Sequence, residues 1–176
     1  METVLEKGMK VVPLPNKATA TVLGACHNSQ ISAMLIEKHI RRIQPSALAL
    51  ELCSERLDYL VRGNGHREEK RKDIMDPDEP ASIRRSYARY ADETRRAFRA
   101  FMTNNSSPEN TLVLMDLKKT KQDEISNSRP EIRPMRDANM AQNIFTLSLL
   151  GHKTIVAVVG ANHVKGVEET LLDLNR

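Results

Sequence analysis

The chain has no tryptophan and only three tyrosines and three phenylalanines in 176 residues, so any core must be built from aliphatic side chains and methionine. Cysteine is scarcer still. Cys26 and Cys53 are the only two and neither belongs to a CxxC pair, which argues against a disulfide framework or a cysteine-rich zinc site and points to a reducing, cytoplasmic setting. A one-sided charge is also missing: 27 Lys and Arg against 23 Asp and Glu leave +4, far from the excess of a dedicated nucleic-acid binder. Residues 62–101 hold 11 basic against 8 acidic side chains, but Tyr87, Tyr90, Phe98 and Phe101 recur there at helical spacing. That pattern reads as packing rather than base stacking, and no nucleic-acid partner is expected. No run reaches the roughly 18 apolar residues of a membrane span. The opening METVLEKGMKVVPLPNK lacks the apolar stretch of a signal peptide, so a soluble chain is expected.

The length suits one domain with a real core, spanning residues 1–176. KATATVLGAC reads as a buried strand through about Leu23. Ser29 can then cap a helix over roughly 29–43, in which Ala33, Ile36, Ile40 and Ile43 share a face and which Pro45 stops. SALALEL at 46–52 is a second apolar run, and SERLDYLV follows with Ser54 as an N-cap. Strands alternating with helices of this length favour parallel pairing through crossovers. The expected fold is therefore α/β, a mostly parallel sheet flanked by helices.

Residues 62–134 read as a helical and partly disordered central insertion. It contains the aromatic helical face, a short strand in TLVLMDL, and a polar stretch at 118–131 with no period. Order returns with a helix over about 136–150, where Met140, Ile144 and Leu147 share a face, Asp137 suits the N-terminus and Gly151 the C-terminus. A strand from Ile155 to Val159 ends at Gly160, and VEETLLDL forms a last helix.

Two GxxH sequences, Gly24 to His27 and Gly160 to His163, each follow an apolar strand, and Glu51 closes a third. Ligands in open α/β sheets bind outside the carboxyl ends of the strands, so parallel pairing would carry His27, Glu51 and His163 to one edge. Two imidazoles and a carboxylate suit a divalent ion such as Zn, Mn or Co with positions open for water and substrate. Gly24 and Gly160 would let the backbone turn sharply before each His. Cys26 adjoins His27, but neighbours in extended chain point to opposite faces, so Cys26 reads as a small buried hydrophobe, as does Cys53. His39, His66 and His152 read as structural or solvated.

The segments GACHNSQISAMLIEKHIRRIQPSALALELCSERLDYL and MRDANMAQNIFTLSLLGHKTIVAVVGANHVKGVEETL resemble the two ends of the TraB/PrgY/GumN family. The likeness rests on Gly24, His27, Pro45, Glu51, Leu52, Cys53 and Arg56 in the first block. In the second it rests on Arg136, Asp137, Val158, Val159, Gly160, His163 and Gly166. The matching blocks cover about 24–60 and 135–171, under half the chain. The wider superfamily includes the TIKI metalloproteases, erythromycin esterases and ChaN-like haem-binding proteins. The resemblance implies a site built from the two GxxH histidines and the strand-end Glu. Where the family has a Glu-Arg-Asp triplet, this chain has Met135, Arg136 and Asp137, and its central segment is shorter than the family's.

The expected activity is hydrolysis of a peptide or small ester by a metal-dependent centre, with the ion held by His27, Glu51 and His163. Arg136 would stabilise the oxyanion, and Asp137 would orient a ligand or the water. A metal-free form would use His27 or His163 as a general base paired with Glu51. The alternative class is a non-catalytic member that sequesters a peptide or binds haem in the same pocket. Resemblance also allows membrane association through partners, at the mitochondrial outer membrane, although the sequence has no span of its own.

Overall fold

The computed structural model describes residues 8–26, 30–52, 93–103, 109–115 and 132–176. Strand β1 is Met9–Leu14 and β2 is Ala18–Ala25, followed by helix α1, Gln30–Ile43, and β3, Ala47–Leu50. Residues 93–103 form α2. Then come β4, Thr111–Leu114; α3, Ile132–Leu149; β5, Thr154–Gly160; a 3-10 turn, Ala161–His163; and α4, Val164–Leu174. The sheet order is β1-β2-β5-β3-β4. β2, β5, β3 and β4 run parallel, and β1 lies antiparallel on the edge. The fold is α/β, as the alternation of strands and helices implied.

Strand period sorts the core into two layers. Ile155, Ala157 and Val159 of β5 face one side with Met140, Ala141, Ile144 and Leu147 of α3 and Val164, Val167 and Leu171 of α4. Val156 and Val158 face the other side with Ile36 and Ile40 of α1 and Ala97, Ala100 and Phe101 of α2. With neighbours on both faces, β5 is apolar at every position from Ile155 to Val159, as buried parallel strands are. Phe98 and Phe101, two members of the aromatic stripe, pack in this second layer beside buried Thr94. Tyr87 and Tyr90 lie outside the described residues, as do the SERLDYLV segment and residues 118–131.

This layering creates the crevice that matters. β5 leads into α4 on one face, whereas β2 leads into α1 on the other, and the next described element after β3 is α2, also on that other face. β5 therefore sits beside β2, whose chain leaves to the opposite side, and the gap at its carboxyl end is a topological switch point.

Three expectations need correction. β1 was not anticipated: Pro13 and the charged Lys10 blunt its strand signal, yet both are tolerated on an edge, and Val12 and Leu14 are buried while Val11 points outward. α3 starts at Ile132, not near Arg136, because Pro134 falls in the first turn, where the missing N–H costs no hydrogen bond. Asp137 is consequently a buried interior residue rather than a helix start. Cys26 is exposed instead of buried, and Cys53 lies outside the described residues.

The helix ends follow the sequence closely. Gly151 adopts φ +99, with its N–H donating to the Ser148 carbonyl at 3.2 Å and the His152 N–H to the Leu147 carbonyl at 3.2 Å. This paired closure satisfies the last carbonyls of α3 and requires a residue at ease in left-handed backbone. Before Pro45, the Gln44 N–H donates to the Ile40 carbonyl at 2.9 Å and closes α1.

Candidate active site

Register brings the ends of β2, β5 and β3 to one edge. Ala25 lies opposite Gly160, and Leu50 opposite Val158, so the chain leaves β2, β5 and β3 at nearly the same height. Glu51 continues the ladder by one bond, its N–H donating to the Val158 carbonyl at 3.0 Å. The Glu51 side chain thus stands at the mouth of the crevice beside the end of β5.

Four side chains meet there. The Gly160 N–H donates to Glu51 Oε2 at 2.8 Å, and Arg136 Nη2 donates to Glu51 Oε1 at 2.9 Å. Both carboxylate oxygens are therefore anchored, one by backbone and one by charge. Beside this pair, His163 Nδ1 lies 2.6 Å from Asp137 Oδ1. A carboxylate only accepts, so the hydrogen bond puts the proton on Nδ1, and in the neutral ring Nε2 keeps its lone pair. Nε2 points toward Glu51 Oε1 across 3.7 Å, beyond hydrogen-bond range. Asp137 and His163 are largely buried, and Arg136 is the most open of the four. The Arg136 Nε is buried with no hydrogen-bond partner among the described residues.

The glycines of the two motifs act differently from the sequence expectation. Gly160 has φ −57 and ψ 139, a conformation open to any residue, so no turn demands it; its contribution is the N–H on Glu51. A side chain at Gly24 would meet Val164 Cγ2 at 2.9 Å, the Gly8 carbonyl at 3.0 Å and the Ala161 Cα at 3.1 Å. Gly24 thus makes room for the turn that carries the second motif. Gly166 does the same for Asp137: a Cβ there would lie 2.7 Å from the Asp137 Cγ and overlap its carboxylate. The spacing Gly160-x-x-His163-x-x-Gly166 therefore places the imidazole one turn before the gap into which its carboxylate partner fits.

Glu51, Arg136, Asp137 and His163 are brought together, while His27 lies outside the described residues two positions beyond the end of β2. Among the described residues, no three His, Cys, Asp or Glu side chains gather to hold a metal ion. Met135 is 72% exposed, and its neighbour Arg136 is held by Glu51. The sequence gives Asp137 a role in orienting a ligand or the water but names no partner for it, and the structure pairs it with His163. Sequence reasoning missed the Ser32 hydroxyl, which accepts the Cys26 N–H at 3.1 Å and ties the start of α1 to the end of β2.

No helix among the described residues is long and apolar enough to cross a membrane. Compared with protein-family models, curated proteins and solved structures, the chain matches none.

Proposed function

We propose that this protein hydrolyses a peptide or small ester bond at the carboxyl end of β5, with His163 as the general base. The observation that carries the reading is the Asp137 and His163 pair, 2.6 Å apart and largely buried, with Nε2 turned toward the crevice. In the reaction, Nε2 takes a proton from water while the hydroxide oxygen bonds to the carbonyl carbon. Asp137 stabilises the imidazolium so formed. The carbonyl oxygen becomes an oxyanion, and the Arg136 Nε–H, which has no partner among the described residues, and the guanidinium charge stabilise it. His163 then returns its proton to the leaving oxygen or nitrogen as the carbonyl reforms. Glu51 positions Arg136 and is itself fixed by the Gly160 N–H.

A metal-dependent form of the same reaction is a second reading. His163 has a carboxylate behind Nδ1, as metal-bound imidazoles usually do, and its Nε2 faces a second carboxylate oxygen. His27, Glu51 and His163 would hold such an ion, which when bound lowers the pKa of water and polarises the carbonyl. Likeness of the two terminal blocks to the TraB/PrgY/GumN family supports the same class of reaction.

The test is hydrolysis of a panel of activated esters and short peptides by the full chain, after chelation and again with Mn, Co or Zn added. Wild type should turn over at least one class, and His163→Ala should lose about 100-fold or more with unchanged circular dichroism. Absence of turnover in every arm, or full activity in His163→Ala, would sink the proposal.

A further inference from the structure

Helix α3 buries one stripe of side chains and leaves the opposite one open. Met135, Ala138, Asn139, Gln142, Thr146 and Leu149 are all exposed, across the helix from the buried Met140, Ile144 and Leu147. Met135, Gln142 and Leu149 recur every seventh residue, so the stripe follows the helix axis for about 21 Å. It is also free of charge. Although 28% of the chain is Asp, Glu, Lys or Arg, none of these occurs from Ala138 to Leu150, and a helix face that meets only water ordinarily carries them. The polar groups of the stripe are mostly satisfied within the helix. Asn143 Nδ2 donates to the Asn139 carbonyl and to Asn139 Oδ1, both at 2.9 Å, and Thr146 Oγ1 donates to the Gln142 carbonyl at 2.8 Å. Burying groups already paired in this way costs less than burying open ones.

We propose that this face of α3 is an interface with a second copy of the chain, the two helices lying antiparallel about a two-fold axis at Gln142. The stripe is self-complementary in that arrangement. Met135 stands seven positions before Gln142 and Leu149 seven after it, so Met135 meets the partner's Leu149 at both ends. Ala138 and Thr146 stand four to either side and pair in the same way, a small side chain against a short one. On the axis the two Gln142 amides face each other, and each has a donor and an acceptor to exchange. Absence of charge decides the occupant. Two copies of a chain of net charge +4 repel, and a face without cations brings them together with no like charges opposed. Antiparallel pairing also keeps the exposed Arg133 of the first turn away from the partner's Arg133. The amides of Asn139, Gln142 and Asn143 in the middle of the stripe argue against lipid. With only about four turns of helix in contact, the dimer is reversible and micromolar rather than obligate. It does not depend on the hydrolase reading.

Sedimentation velocity of the full chain from about 1 to about 300 μM tests the proposal. Wild type should pass from monomer to dimer across that range. Gln142→Lys sets two cations on the axis and should weaken the dimer about tenfold or more. Its circular dichroism and Tm should match wild type, because the position is exposed. Met135→Lys and Leu149→Glu should each weaken the dimer severalfold. Combined in one chain, they bring each introduced cation against the partner's introduced anion and should restore affinity to within about threefold of wild type. Met102→Lys, exposed on α2 at the opposite face of the sheet, should leave the dimer unchanged. A chain that stays monomeric throughout, which would hand the face to an unlike protein, overturns the proposal. So does a dimer that Gln142→Lys leaves intact, or a combined variant no stronger than the single ones, as parallel helices would give.

Discussion

Asp137 and Gly166 act as a unit although they are 29 positions apart in sequence: the missing side chain of one is the space for the carboxylate of the other. Two outcomes follow from that. Asp137→Asn keeps the shape but can offer an N–H toward Nδ1 and so favours the wrong tautomer, and kcat should fall about 10²- to 10⁴-fold. Gly166→Ala should lower kcat at least about tenfold with KM little changed, because it moves Asp137 and not a substrate contact. Thermal stability should fall in that variant, since the up to about 1 kcal/mol of helix propensity that alanine gains is outweighed by displacing a buried, hydrogen-bonded carboxylate. Denaturation and steady-state kinetics on the same sample separate the two effects. At this scale much was legible in the sequence: Glu51, Arg136, Asp137 and His163 stand out as polar groups at strand ends and in a spaced motif. The bond between Asp137 and His163 was not legible, because it depends on how α3 lies against α4, and periodicity within one helix carries no such information.

Among the elements, α3 both builds the core and delivers two site residues. Ile144 is fully buried between α3 and the sheet, and Ile144→Ala should cost about 2–5 kcal/mol in urea denaturation. At its end, Gly151→Ala must hold a side chain at φ +99 and should cost about 1–2 kcal/mol. On α1, burial first and then the charges of Arg42 and Lys38 hold His39 below its ordinary value of 6.5. The folded chain therefore binds fewer protons at His39 than the unfolded one. The associated stability is complete above about pH 6.5 and is lost as pH falls from there through the lower folded value. His39→Gln should flatten that acid-side decline, read as Tm against pH. β2, α1, β3 and β5 were legible from apolar runs and from Ile36 and Ile40 at helical spacing. β1 was not, since an edge strand needs only every second residue buried and Pro13 hides even that alternation. The first turn of α3 was hidden by Pro134 and by charged neighbours, which carry no apolar period.

Across the whole molecule, position in the fold gives the four side chains their meaning. The order β1-β2-β5-β3-β4 puts β5 beside β2, whose chain departs to the opposite face, and the edge so formed receives Glu51 from β3, Arg136 and Asp137 from α3, and His163 after β5. Separate elements thus each contribute a part, and none of the parts would form a site alone. The sequence pointed to this edge through its strand ends.

The most direct test of the hydrolytic centre is a double-mutant cycle in kcat/KM on the best ester or peptide substrate, comparing wild type, Asp137→Asn, His163→Gln and the double variant. If Asp137 works only through His163, the expected result is strong non-additivity, with the double variant no slower than His163→Gln alone. Losses that multiply independently, or a His163→Gln variant as active as wild type, would contradict the assignment.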